Sequence, residues 1–202
     1  MNRPAQPLRI AVADHEPDTR LFLQELLSQL GHAAVAVAES GRQLAEQCHA
    51  TRPDLVITDI HLPDMDGVAA GALVNRERPV PVILITGNGD FDLLASAGGG
   101  PIMACLTKPV KPVDLQAAIT LGLRHFEHFQ QLRKENADLR RTLEDRKIIE
   151  RAKGAIMKRL RVDEEEAFRK LRKAASDQNR KLVEMAQVLL KAEETFQELD
   201  GR

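Results

Sequence analysis

Leu55-Val56-Ile57-Thr58-Asp59 is a short, mostly apolar run that ends on a carboxylate, and three other runs share its plan. Leu8-Arg9-Ile10-Ala11-Val12-Ala13 stops at Asp14, Val82-Ile83-Leu84-Ile85 stops at Thr86, and Ile102 to Leu106 leads to Lys108-Pro109. Ala33 to Ala38 is a fifth strand-like stretch. Helical patterns separate the runs. The first has Leu21, Phe22, Leu26, Leu27 and Leu30 on one face and Gly31 as a stop. The others are Gln43 to His49, Val68 to Val74, Phe91 to Ala97, and a stretch from Leu115 onward. Short apolar strands alternating with helices predict a parallel sheet covered on both faces. Five of each predict an α/β, flavodoxin-like (βα)5 fold with strand order 2-1-3-4-5.

In such sheets reactive groups collect where the strands end. Asp14, Asp59, Thr86 and Lys108 each follow a strand, so two carboxylates, a hydroxyl and an ammonium should converge at one edge. A loop cap explains any one of them, but not all four at four central positions. Gly98-Gly99-Gly100-Pro101 predicts an irregular loop before the fifth strand.

This set, with Asp59-Ile60-His61-Leu62-Pro63-Asp64-Met65-Asp66-Gly67 and Lys108-Pro109, resembles the receiver domain of two-component response regulators over about residues 7 to 125. The resemblance implies that Asp59 is the phospho-acceptor, Asp14 a member of the acidic pocket, Thr86 the hydroxyl that contacts the acyl phosphate, and Lys108 its counter-charge. It also implies Mg²⁺, held by Asp14, Asp59 and the backbone carbonyl of His61. Two positions depart from the family. His15 stands where a second acid usually ligates the ion, and imidazole is a poor ligand for a hard cation, so Mg²⁺ should bind more weakly than the family norm, with Glu16 as the nearest substitute. Cys105 stands where many receivers carry a switching aromatic, and the chain has neither Tyr nor Trp.

No Pro or Gly interrupts the chain between Leu123 and Lys153, which predicts one continuous helix out of the first domain. Within it Phe129, Leu132, Asn136, Leu139 and Leu143 alternate spacings of three and four, an a/d seam. Asn136 at an a position favours a parallel dimer, the alternative being packing of this helix within its own chain. Beyond the seam one apolar pattern, i, i+1, i+4, i+7, i+8, occurs three times: Ile148, Ile149, Ala152, Ala155, Ile156; then Ala167, Phe168, Leu171, Ala174, Ala175; then Leu182, Val183, Ala186, Leu189, Leu190. Three helices striped in this way can bury their stripes only against one another. Asp163 and Asn179 are the expected caps of the second and third.

The run from Arg146 to Met157, with Glu165-Glu166-Ala167-Phe168, Leu171-Arg172 and Asn179 to Leu182, resembles the ANTAR domain, the RNA-binding module of AmiR- and NasR-type transcription antiterminators. It covers about residues 140 to 192. Charge agrees with a polyanionic partner. Arg140 to Lys181 holds 15 Lys/Arg against 8 Asp/Glu, a net of +7 on a chain whose formal charge is −1. On a helical wheel Lys147, Arg151, Gly154 and Lys158 line one stripe, with Lys153 beside it, and the second helix adds Arg169, Lys170, Arg172 and Lys173. Gly154 either admits a phosphate close to the backbone or serves helix packing. Phe168 reads as core, so phosphate contacts rather than base stacking are expected.

The domains expected are therefore a receiver (1–124), a coiled-coil connector (125–145) and a three-helix RNA-binding module (146–202). No apolar run approaches the roughly 20 residues of a membrane span, and residues 1–7 lack the apolar core of a signal peptide, so a cytoplasmic, non-membrane protein is expected. Cys48 and Cys105 read as buried thiols rather than a disulfide or thiolate metal site. The function expected is a regulator rather than an enzyme: a dimeric antiterminator whose receiver, phosphorylated by a histidine kinase, controls binding of a hairpin leader transcript. Two alternatives stand beside it. One is a DNA-binding response regulator. The other is a phosphorylation-independent regulator docked by a ligand-binding sensor protein.

Overall fold

The computed structural model describes residues 7–87 and 101–200, with side chains as far as Thr195. The helix expected at Phe91 to Ala97 and the glycines at 98–100 lie outside the described residues. The elements in chain order are β1 (Arg9–Ala13), α1 (Pro17–Gln29), β2 (Ala33–Ala38), α2 (Gly41–Thr51), β3 (Leu55–Asp59), α3 (Gly67–Asn75), β4 (Val82–Thr86), β5 (Ile102–Thr107), α4 (Pro112–Leu160), α5 (Glu164–Asp177) and α6 (Leu182–Asp200). The chain divides into two compact units, Met1–Gln130 and Gln131–Arg202. Among the described residues no helix is long and apolar enough to cross a membrane.

In the first unit the strands pair in parallel in the order β2-β1-β3-β4-β5, as expected from the sequence. Alternation along each strand splits the core into two layers. Ile10, Val12, Leu55, Ile57, Ile83 and Ile85 face α1 and the start of α4, meeting Leu23, Leu27, Leu115 and Ile119. Ala11, Ala13, Val56, Val82 and Leu84 face α2 and α3, meeting Leu44, Ala70 and Val74. Burying one such Leu or Ile side chain contributes about 1.5–3 kcal/mol. Here α1 corrects the sequence reading: Leu23, Leu26 and Leu27 are buried, whereas Leu21 and Phe22 are 57% and 44% exposed. The helix presents the side centred on Leu23 to the sheet, and apolar residues flanking that side remain outside.

The register fixes the reacting edge. Val12 lies opposite Ile57, and Asp59 opposite Ile85. Lys108 N–H donates to the Thr86 carbonyl at 2.8 Å, which sets the residue after β5 beside the end of β4. The loop after Asp59 is pinned by its own carboxylates. Asp64 accepts from the N–H groups of Gly41 and Arg42 at 2.8 and 3.0 Å, closing the start of α2. Asp66 caps α3 by accepting from Ala69 N–H at 2.6 Å. Burial alone would raise the Asp64 carboxyl, but the N–H groups of Gly41 and Arg42 hold it below its ordinary value.

The second unit consists of the C-terminal part of α4 with α5 and α6. Ala152, Ile156, Ala167, Leu171, Ala175, Met185 and Ala186 form its core, flanked by Ile148, Ile149, Leu182, Leu189 and Leu190. The three stripes meet, but Ala155, Phe168 and Val183 fall outside the cluster, Phe168 being 38% exposed, and Met185, outside the expected stripe, is buried in it. Asp163 caps α5 by accepting from Glu166 N–H at 2.8 Å. Asn179 does not cap α6. It adopts φ 51° and closes α5 instead, with the N–H groups of Asn179 and Arg180 donating back to Ser176 and Ala175. Glu184 reaches back to Lys181 N–H at 3.3 Å at the start of α6.

Gly67 is the tightest point of this architecture. A Cβ there would lie 2.2 Å from the Asp59 carbonyl oxygen and 3.0 Å from Ile60 Cα, both backbone atoms with no freedom to yield. Gly67→Ala is therefore expected to destabilise the protein by about 1–3 kcal/mol, the usual range for overpacking, measured by the shift in the denaturant midpoint at constant slope.

Candidate functional site

At the carboxyl edge of the sheet the last residue of β3 converges with residues that follow β1 and β5. Lys108 Nζ lies 2.8 Å from Asp59 Oδ2, 2.9 Å from Asp14 Oδ2 and 3.4 Å from Glu16 Oε2. Asp14 and Asp59 are buried, and Thr86 is buried at the end of β4, its hydroxyl donating to the Gly87 carbonyl at 3.0 Å. Backbone donors fix both carboxylates: Glu16 N–H donates to Asp14 Oδ1 at 2.9 Å, and His61 N–H to Asp59 Oδ1 at 3.2 Å. Arg20 donates to the carbonyls of Asp14 and His15 at 2.7 and 3.1 Å, holding the turn that carries them.

Burial holds the Asp14 carboxyl above its ordinary value, against the pull of Glu16 N–H and the Lys108 ammonium, and the Asp59 charge adds to the rise. Burial works against the Lys108 ammonium too, but the hydrogen bond to Asp59 and the close charges of Asp14 and Asp59 outweigh it and hold the group above its ordinary value. Lys108 therefore stays charged. The sequence places Glu16 in the pocket as a substitute for the missing acid, without naming its partner. The structure brings its carboxylate to the lysine, where the Thr19 hydroxyl and then Lys108 hold it below the usual carboxylate range.

His15 turns its imidazole inward. Nδ1 lies 3.5 Å from Asp59 Oδ2 and 3.7 Å from Asp14 Oδ1. Asp14, His15 and Asp59 each offer a ligand atom, all within 4.8 Å of one another. Asp14 Oδ2 is buried without a hydrogen bond of good geometry, its near neighbour being the Lys108 ammonium. A divalent cation fits this donor set, which is two carboxylates and one nitrogen rather than oxygens alone. Cys48 is buried, which pushes its thiol up to about 12. Cys105 is exposed, in contrast to the sequence expectation, because β5 is an edge strand.

In the second unit Lys147, Arg151, Gly154 and Lys158 are all exposed along α4, and Arg169, Lys170, Arg172 and Lys173 are exposed along α5. Their ion pairs are superficial: Lys147 with Glu144, Arg151 with Glu194, and Arg169 and Lys170 with Glu166. Exposed pairs contribute about 0–1 kcal/mol and open readily. Lys153 is placed differently from the rest. It is buried, 2.8 Å from Glu150 and 2.6 Å from Glu164, and its ammonium lies 5.9 Å from the Phe168 ring centroid. Glu150 and then Glu164 raise it above its ordinary value. It clasps α4 to α5. A Cβ on Gly154 would meet nothing within 4 Å, so no helix packs against this glycine.

Along the connector Leu132, Asn136, Leu139 and Leu143 are exposed and Phe129 is half-buried.

A doubly covered parallel sheet carrying this Asp–Asp–Lys–Thr edge is a receiver. The chain belongs to the response regulator family: it matches the response regulator receiver domain over residues 10–120 and, beyond it, the ANTAR domain over residues 137–190. It is 34% identical to the transcriptional regulatory protein PdtaR of Mycobacterium tuberculosis, over 92% of this chain and 91% of that protein. A protein-glutamate methylesterase/protein-glutamine glutaminase of Desulfitobacterium hafniense is 31% identical over 60% of this chain and 36% of its own. Among solved structures, the signal receiver domain of an HD domain-containing protein from Pseudomonas fluorescens superposes with a TM-score of 0.55 at 29% identity, covering 65% of this chain and 96% of that one.

The different settings of Lys153 and Gly154 make opposite expectations. Gly154→Ala gains about 1 kcal/mol of helix propensity with no clash and should raise the melting temperature of the second unit. Lys153→Ala removes the buried lysine stem and its ion pairs with two exposed glutamates, Glu150 and Glu164, and should lower it. Calorimetry of both variants reads the two signs.

Proposed function

We propose that this response regulator is a transcription antiterminator in which the state of the Asp59 pocket governs binding of hairpin leader RNA by a dimer. The carrying observation is the Lys108–Asp59 ion pair of 2.8 Å at the sheet edge, in a chain that also matches the ANTAR domain. The working parts are a receiver (1–124), a connector (125–145) and an RNA-binding module (146–202), acting in the cytoplasm.

Asp59 is the nucleophile toward the phosphohistidine of a kinase. A carboxylate oxygen attacks phosphorus, the P–N bond breaks as the P–O bond forms, and the imidazole leaves with a proton. Phosphoryl transfer is mainly positioning and charge neutralisation. Lys108 supplies the cation and the Thr86 hydroxyl a donor to the equatorial oxygens. A divalent cation held by Asp14, Asp59 and the His61 carbonyl would neutralise further phosphoryl charge. Cys105 occupies the switch position without an aromatic ring, so the signal travels by another route than ring rotation. His15 in place of an acid favours a second form of input at the same face, docking of a ligand-binding sensor protein.

Exposed Leu132, Leu139 and Leu143 on a helix support a parallel coil with Asn136 setting register. RNA meets the stripe of Lys147, Arg151, Gly154 and Lys158, with Arg169, Lys170, Arg172 and Lys173 as a second row, while Lys153 holds the bundle together. A duplex-DNA reader would project a recognition helix from a tight turn, whereas these stripes close a compact bundle.

Three measurements test the reading. A small-molecule phosphodonor should add one phosphoryl group to the parent and none to Asp59→Ala, read by intact mass. Asn136→Leu should tighten self-association while broadening the oligomers present, read by sedimentation, and a strict monomer under RNA-binding conditions would remove the dimer. Hairpin RNA should compete better than duplex DNA, and Lys158→Ala should flatten the salt dependence of RNA binding by about 0.7–0.9 logarithmic units per lost phosphate contact with the fold intact.

A further inference from the structure

His15 is the feature of the pocket that the phosphoryl-transfer account leaves unused. Its ring is about half exposed, yet Nδ1 points at both buried carboxylates, 3.5 Å from Asp59 Oδ2 and 3.7 Å from Asp14 Oδ1. Ligand atoms around one ion at about 2.0–2.2 Å stand roughly 3.0–3.5 Å apart. His15 Nδ1 therefore needs to close on each carboxylate by only a few tenths of an ångström, and the three ligand atoms all lie within 4.8 Å of one another. We propose that His15 converts this pocket into a mixed nitrogen–oxygen site that selects a borderline transition-metal ion of the Fe²⁺-to-Zn²⁺ class over Mg²⁺.

The inference rests on the reading of this pocket as the receiver's cation site. Its ground is ligand chemistry. Mg²⁺ demands oxygen ligands in near-octahedral geometry, whereas imidazole suits Zn²⁺, Fe²⁺ and Ni²⁺ and its nitrogen lone pair binds them strongly. Among the described residues the carboxylate nearest the place of the missing acid is Glu16, and it is turned toward other partners: it accepts from the Thr19 hydroxyl at 2.9 Å and lies 3.4 Å from Lys108 Nζ. Arg20 fixes the His15 carbonyl at 3.1 Å, so the backbone that aims the ring is held. Charge also permits a dication. Asp14, Asp59 and Glu16 bring three negative charges against the single ammonium of Lys108.

Because Zn²⁺ outcompetes Mg²⁺ at almost any site, the discriminating quantity is the ratio of the two affinities and its dependence on position 15. The full chain is titrated calorimetrically with Zn²⁺ and with Mg²⁺, alongside His15→Asp and His15→Gln, and the parent is titrated with Co²⁺ for its d–d absorption. His15→Asp should tighten Mg²⁺, weaken Zn²⁺ and cut the Mg²⁺-to-Zn²⁺ ratio of Kd values by about tenfold or more, the scale on which ligand-shell changes act. His15→Gln should weaken Zn²⁺ with little effect on Mg²⁺. The His15 ring resonances of the parent should shift on Zn²⁺ binding. An unchanged ratio in His15→Asp, with still ring resonances, overturns the inference while leaving a cation site in place. No binding of any of the three ions, with Asp59→Asn behaving as the parent, overturns the cation reading of the pocket as well.

Discussion

The Lys108 ammonium between two buried carboxylates is the interaction on which the receiver depends. Asp14 and Asp59 come from different strands, and two like charges buried close together repel each other and lose hydration. Lys108 at 2.8 and 2.9 Å relieves both costs at once. It arrives from a third strand, so the charge balance requires β1, β3 and β5 to end at the same edge, which is what the parallel pairing of the sheet achieves. The backbone donors of Glu16 and His61 then leave the carboxylates little freedom. A phosphoryl group arriving at Asp59 would redraw this balance, because Lys108 would have a doubly charged partner in place of a singly charged one.

Much of this was readable in the sequence because strand length, apolar runs and the residue after each run are local features. Strand order followed from the alternation of elements, and Asp14, Asp59, Thr86 and Lys108 followed from the rule that such sheets keep their reactive groups at the carboxyl ends. What the sequence concealed depended on side-chain reach. Glu16, expected in the pocket, meets Lys108 rather than taking the place of the missing acid because the turn into α1 aims it there, and Asp64 anchors the start of α2 across 23 positions of sequence. No spacing rule signals either contact. On α1 Leu21 and Phe22 are as apolar as the residues beside them, so apolarity alone places the stripe on them and passes over Leu23, on which the buried side is centred.

The second unit shows the same division. Its three stripes and the Asp163 cap were legible, since each is a pattern within one helix. Lys153 was not, because a lysine in a cationic run looks like its neighbours until Glu164 of the next helix is found 2.6 Å from it. Its burial separates it from the exposed cationic rows and ties α4 to α5. Asn179 illustrates a competition between two roles for one residue type: as readily as it caps a following helix, Asn tolerates the left-handed conformation that ends the preceding one, and here that second role prevails.

If the Asp59 pocket governs RNA binding as proposed, its charge state and the affinity for RNA share one equilibrium. This coupling is tested most directly by measuring the affinity of the same protein for a hairpin leader RNA before and after treatment with a small-molecule phosphodonor, at fixed salt and protein concentration. Coupling of the usual size, about 1–3 kcal/mol, predicts a change of roughly 5- to 150-fold in the parent that is absent in Asp59→Ala. Equal affinities in the two states of the phosphorylated and unphosphorylated parent would contradict it.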